Sequence, residues 1–416
     1  MKLRDSTQEF TETSRASSSM KLGQTKVVVI SHAGIKQINR AVYRNLKEVV
    51  GELTVIIPSR LQLSSGQVIS AEPSLADDPK MVPMQLNGRN PRTYYYPDLI
   101  SWLTDEKPDI IMLENDPVSR LGLQLSKWCR RNVAKIICQT YENLKRDLVT
   151  TLKTQGLKSL LKNQIISLLN AYMAGKVDAL LVVNKDSESI FASYGYKNVS
   201  RIPLGYDKDV FFPNEEKRRA YRQNLVVSPD TVVIAYFGRL VRQKGAHILI
   251  QTLAELTAFN WVFLLDHIHD SEDDYVQYIR TLINDLKLEE RVIFFEADHF
   301  EISNYMRAAD IMVAPSITTA EFKEQYGRAV QEAMACGCVC VVSDSGNLKD
   351  LVGEPSLVFR EGNIGMLKNT LTTLLQDTSK QLVFKSALAK KAASLLTTEC
   401  QSDRLAAVMQ GLVTHL

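Results

Sequence analysis

Four charged side chains stand out by type and spacing. Arg239 and Lys244 lie in AYFGRLVRQKG, residues 235–245, where an apolar run ends at Phe237 and the chain turns at Gly238. Two flexible cations beyond the C-terminal end of a strand suit a phosphate or diphosphate. The amides of the helix expected after Gly245 would add to the same positive field. Glu324 and Glu332 lie in APSITTAEFKEQYGRAVQEAMACGCVCVVSDSG, residues 314–346. Glu324 falls in a loop, where a carboxylate can accept bonds from sugar hydroxyls. Glu332 falls in the second turn of a helix opened by Gly327, where it can take both hydroxyls of a ribose. Between them, the amides around Gly327, Arg328 and Ala329 form a helix N-terminus that favours an anion. Taken alone, neither segment decides. Cations near a strand end are often merely solvated, and so is a charged helix start.

The elements that must position these residues follow an α/β rhythm of short β-branched runs and longer amphipathic stretches. In the first half the strands are Lys26–Ser31, Leu53–Ile57, Pro108–Leu113, Lys135–Gln139 and Ala179–Val183, with helices near Gln37–Val50 and Val118–Arg131. Residues 59–92 are rich in turn formers and give no order. The segment PLGYDKDVFFP, residues 203–213, reads as a connection between domains. The rhythm then restarts, with strands at Val232–Phe237, Trp261–Asp266, Val292–Phe295, Ile311–Ala314 and Val339–Ser343. The helices between them are Ala246–Thr257, Asp274–Leu286, Ile302–Ala308 and Arg328–Ala335. The last residues, from about Lys380, are helical.

With 416 residues, two domains are expected, and a net charge of +3 gives no argument for a nucleic-acid partner. No apolar stretch approaches the roughly 18 residues of a membrane span, and residues 1–25 are too polar for a signal peptide. The expected location is therefore the cytoplasm, and six cysteines without a paired framework fit a reducing compartment. Cys336, Cys338 and Cys340 alternate inside an apolar run and read as small core residues rather than metal ligands.

The order FGRL–KG, then PS, then E-x7-E within EQYGRAVQEAMACG, then SDSG, resembles the family-4 retaining glycosyltransferases of GT-B fold. IPLGYDKDVFFP and RAADIMVAPS are similar to further segments of that family, so the likeness spans about residues 200–353. It implies two Rossmann-like domains with parallel sheets facing across a cleft. Residues 1–23 would be an N-terminal extension and 24–204 the acceptor-binding domain. Residues 205–385 would bind a nucleoside-diphosphate sugar, and 386–416 would form a helical segment that can cross back. By the same resemblance Arg239 and Lys244 hold the donor diphosphate and support its departure. Glu332 holds the ribose, and Glu324 meets the transferred sugar with the amides at Tyr326 and Gly327. No cofactor or metal is expected, because the cations and the helix dipole supply the positive charge.

The chain also departs from that family. Its first loop reads Ser31-His32-Ala33-Gly34, so only Gly34 is left to approach the donor closely, with His32 near the phosphates as a further reading. After Lys135–Gln139 the family's usual histidine is missing. Glu142 is the candidate to contact the sugar or act as base, with Glu114 as the alternative carboxylate. Asp266, His267 and His269, in LLDHIHD, have no assigned role. The basic stretch Asn143–Lys162, with Lys145, Arg146, Lys153, Lys158 and Lys162 among Leu and Val, reads either as a solvated helix face or as a surface for a membrane-attached acceptor. A catalytically silent sugar-nucleotide binder is the rival reading. A dinucleotide dehydrogenase is disfavoured by the missing G-x-G-x-x-G after the first strand.

Overall fold

The computed structural model describes residues 22–63, 66–144, 148–266, 273–298 and 300–414. Apolar runs such as VVVI and IIML are buried on both sides, the pattern of strands in a parallel sheet covered by helices on each face. Among the described residues the first half holds nine strands: β1 (Lys26–Ile30), β2 (Glu52–Pro58), β3 (Arg60–Gln62), β4 (Val68–Ser70), β5 (Lys80–Met84), β6 (Ile110–Leu113), β7 (Lys135–Thr140), β8 (Ala179–Val182) and β9 (Val199–Arg201). Seven of them form one parallel sheet in the order β5-β2-β1-β6-β7-β8-β9. β3 and β4 pair separately as an antiparallel hairpin.

The segment 59–92, left without order by the sequence, thus holds both that hairpin and an edge strand. β5 carries Pro83 and is only partly buried. Proline is tolerated there because one side of an edge strand has no partner to bond.

The second half holds β10 (Val232–Tyr236), β11 (Trp261–Asp266), β12 (Val292–Phe295), β13 (Ile311–Ala314), β14 (Val339–Ser343) and β15 (Val358–Phe359). They form a second parallel sheet in the order β12-β11-β10-β13-β14-β15. In each sheet the strand order reverses direction beside the first strand, between β1 and β6 and between β10 and β13. Crevices outside the carboxyl ends of strands at such points are where open α/β sheets bind ligands.

Two stretches link the halves. Tyr206 N–H donates to the Leu396 carbonyl at 2.9 Å, and Thr398 N–H donates to the Tyr206 carbonyl at 3.0 Å. Gly205 permits this contact, because a Cβ there would lie 2.5 Å from Thr398 Cα. Beyond it, the helix Thr398–Val413 lays Leu405, Met409 and Leu412 into the first domain's core beside Val42, Tyr43 and Leu46. The preceding helix, Thr378–Leu395, sends Leu388 and Ala392 into the core of the second domain.

Candidate active site

The loops after β10 and β13 meet at the switch point of the second sheet. Gly245 has φ 74°, and a Cβ on it would sit 1.9 Å from the Pro315 carbonyl oxygen. Only glycine allows the two loops to touch this closely. The contact is closed by Ile317 N–H, which donates to the Gln243 carbonyl at 2.8 Å. Lys244 is thereby brought to Glu324. Its Nζ lies 2.6 Å from Glu324 Oε2, which also accepts from Ser316 Oγ at 2.9 Å. The Phe322 ring covers the ammonium at 5.3 Å. Glu324 is buried, and the neighbouring Arg239 side chain is exposed. The Arg239 carbonyl is fixed by Tyr236 OH at 2.9 Å.

Gly327 caps the helix Arg328–Ala335 in the left-handed region, with φ 98°. Arg328 Nη1 crosses to the first domain and donates to Asn39 Oδ1 at 3.2 Å. One turn on, Glu332 is buried, with Oε1 3.9 Å from Arg328 Nη2. Burial raises its carboxyl to about 7, against a smaller opposing pull from Arg328. Tyr326 OH lies 2.9 Å from the Leu204 carbonyl and 2.8 Å from Gln331 Oε1.

These groups enclose a cavity of 480 Å³, within the usual size of small-molecule sites. Gly238, Arg239, Lys244, Glu324, Tyr326, Gly327 and Arg328 line it from the second domain, and Ala33 and Tyr141 from the first. Gly34, Glu142 and Glu332 are not among its lining residues; Glu332 stands one turn behind Arg328, which does line it. Gly34 sits in a tight turn against the first sheet, where a Cβ would be 3.1 Å from Ile57 Cγ2, and Ala33 faces the cavity in its place. Glu142 turns to Arg92, whose Nη2 is 3.4 Å from Oε2.

Glu114, the alternative carboxylate, stands at the other switch point, after β6. It accepts from Ser31 Oγ at 2.5 Å and from Tyr43 OH. Burial raises its pKa, and the two hydroxyls work against that rise. A smaller cavity of 90 Å³ joins Glu114, Gln139 and Tyr141, and it shares Ala33, Tyr141, Leu204 and Arg328 with the larger one. His32 packs on Tyr94 and Tyr96, and burial lowers its pKa to about 4. A neutral imidazole brings no charge to a phosphate. Burial holds Asp266 near 6, with Glu296 adding to the effect. His267 and His269 lie outside the described residues. The thiols of Cys336, Cys338 and Cys340 are buried and donate to the carbonyls of Ser303, Met306 and Val330.

Two asparagines escaped the sequence reading. Asn143 Nδ2 donates to the Glu324 carbonyl at 3.0 Å, and Asn184 Nδ2 donates to the Gln325 carbonyl at 2.7 Å. Both come from the first domain and hold the loop that carries Glu324. Asn184 also caps its own helix, accepting from Ser187 N–H at 2.8 Å. Its capping role is visible in the sequence NKDSES, but its reach across the cleft is not.

Residues 217–391 match the family model described as glycosyl transferases group 1. The D-inositol 3-phosphate glycosyltransferase of Stackebrandtia nassauensis is 26% identical over 242 residues, 55% of this chain and 53% of that protein. The Mycobacterium tuberculosis F11 protein of that name is 30% identical over 177 residues, 40% of this chain and 34% of its own. The chain thus spans about half, or less, of the length of these curated relatives. Among solved structures, Anabaena HepE in complex with UDP superposes with a TM-score of 0.71 at 18% identity, covering 93% of this chain and all of that one. Sucrose-phosphate synthase from Thermosynechococcus elongatus gives a TM-score of 0.69 at 17% identity over 94% of this chain and all of that one. At such identities these likenesses concern the fold. The matched segment, which holds Arg239, Lys244, Glu324 and Glu332, is thus similar to the glycosyl transferases of group 1, and the chain as a whole has the GT-B fold.

Proposed function

We propose that the protein transfers a sugar from a nucleoside diphosphate to a hydroxyl acceptor with retention of anomeric configuration. The observation that carries this reading is the convergence of Arg239, Lys244, Glu324 and the Gly327 helix start on one interdomain cavity. Arg239 and Lys244 meet the diphosphate and stabilise the charge that grows on it as the glycosidic bond breaks. Glu324 and the Tyr326–Gly327 amides orient the sugar, and Glu332 holds the ribose. Glu114, in the connected cavity at the other switch point, takes the acceptor-side role first considered for Glu142.

No divalent ion is required on this reading, because the two cations and the helix start supply the positive charge, and activity is expected to persist in chelator. The free thiols support a reducing cytoplasm as the place of work. Anabaena HepE has been solved with UDP-glucose, so uridine diphosphate sugars head the donor panel. Incubation with that panel and simple glycosides, followed by NMR of the product's anomeric signal, tests the reading. A product with inverted configuration removes the retaining mechanism. Tight donor binding without hydrolysis or transfer would favour a silent binder.

A further inference from the structure

The basic stretch noted in the sequence belongs to a helix that runs much further, Leu148–Ala174. Along it Leu157, Leu161, Ile165, Leu168 and Tyr172 are 57–71% exposed. Their spacings of four, four, three and four residues place them on one side of the helix. The opposite side is buried, with Asn163, Asn170 and Met173 turned to the domain. The stripe is about 22 Å long at 1.5 Å per residue. Bulky apolar groups gathered this way on a surface mark a site of association.

Charge says with what. This helix and its neighbour Arg120–Asn132 together contain seven Lys or Arg and no Asp or Glu. The whole chain carries only +3, so the remainder holds more acid than base. Cations gather at the end of the stripe. Lys176 Nζ lies 3.2 Å from the Tyr172 ring centroid, and Lys127 and Arg130 are close enough that their charges favour the Tyr172 phenolate. Lys162 and Lys127 are exposed. No helix among the described residues is long and apolar enough to cross a membrane.

We infer that this face docks on an anionic lipid bilayer, with the apolar stripe entering the headgroup layer and the lysines and arginines meeting lipid phosphates. A helix that exposes apolar residues on one side and cations beside them lies in the interface plane. The helix begins five residues after Asn143, which bonds the Glu324 loop, so its start lies within about 17 Å of that contact. Docking therefore holds the cleft near the membrane surface. Granting the transferase reading, the acceptor is a lipid-borne hydroxyl.

The test is sedimentation of the full chain with vesicles of phosphatidylcholine alone or mixed equally with phosphatidylglycerol, at low and high salt. Anionic vesicles are expected to retain about tenfold more protein, with the gain lost at high salt. The double variant Leu161→Ser, Leu168→Ser is expected to lose vesicle binding while keeping its thermal midpoint, because both side chains are exposed. Equal binding to both lipids, no binding, or a double variant that binds like wild type overturns the inference. So does a wild-type dimer in analytical ultracentrifugation that the double variant breaks, which would make the stripe a contact between two copies. Donor hydrolysis in vesicle-free solution is read separately. If it persists while vesicle binding is absent, only the docking surface falls; if vesicle binding stands without hydrolysis, only the transferase reading falls.

Discussion

Lys244 and Glu324, assigned by type to opposite ends of a donor molecule, are bonded to each other, Nζ to Oε2 at 2.6 Å. The pair is largely shielded from water, with side chains 23% and 10% exposed. Under the proposed function, a diphosphate entering the cavity would compete with Glu324 for the lysine, and sugar hydroxyls would replace the lysine on the carboxylate. The pair is thus neutral as it stands, and the positive charge of the cavity lining comes from Arg239 and Arg328.

Under the proposed function, replacing Lys244 or Arg239 with Ala would remove a contact that strengthens as the diphosphate departs. Turnover is expected to fall about a hundredfold in each, or about 3 kcal/mol. Glu324→Ala is expected to lower turnover and blur selectivity between sugar epimers. Steady-state kinetics on the donor panel provides the check, and near-normal rates in both cation variants would remove the assignment.

Asn143 and Asn184 bond consecutive carbonyls of the Glu324 loop from the other domain. A neutral hydrogen bond contributes about 1 kcal/mol, so Asn143→Ala and Asn184→Ala are each expected to reduce kcat about fivefold. Nucleotide affinity, measured by calorimetry, should change little, because neither residue lines the cavity. The double variant should depart from additivity, since both bonds hold one loop. A loss of affinity equal to the loss of rate would show that the asparagines act through the nucleotide instead.

Glu332 gives a pH dependence. Its carboxyl is raised from an ordinary 4.5 to about 7 by burial. Between those values the folded protein keeps a proton that the unfolded chain has released, so stability falls as pH rises through this window and levels above it. The buried charge costs about 3 kcal/mol at alkaline pH. A ribose bonds best to the ionised form, so nucleotide affinity should improve from pH 6 to 8. Glu332→Gln should flatten both profiles, and a wild-type affinity independent of pH would exclude the ribose contact.

Asp310 behaves oppositely. Burial acts to raise its pKa, but Lys385, Arg218 and the Val233 amide outweigh that and hold it at about 2. Its oxygens meet Arg218 at 2.7 Å, Lys385 at 2.7 Å and Arg222 at 3.0 Å. Asp310→Asn removes the counter-charge that these three cations share and should cost about 3–5 kcal/mol in urea unfolding at neutral pH. The carboxylate's contribution is complete above its ordinary pKa near 4 and is lost as pH falls through about 2. A variant of unchanged stability would mean that the backbone carbonyls around the arginines suffice.

The sequence by itself determined what is local. Runs such as VVVI and the AYFGRL–KG loop specify buried strands and the turns that end them, because side-chain period and glycine placement act within a few residues. For that reason the loop positions of Arg239, Lys244 and Glu324 and the helix start at Gly327 were legible. The tertiary structure decided which of these local pieces became neighbours. Glu142 and Glu114 both follow a strand and look alike in sequence. Only strand order puts β6 beside β1, so Glu114 reaches Ser31 and Tyr43 while Glu142 pairs with Arg92. The Lys244–Glu324 bond spans 80 residues, and the Asn143–Glu324 bond spans 181 and crosses two domains. Such contacts follow from how sheets and domains pack, not from spacing along the chain. The same holds for Leu161 and Leu168: their apolar character is written in the sequence, but their exposure depends on which side of the helix the domain core covers.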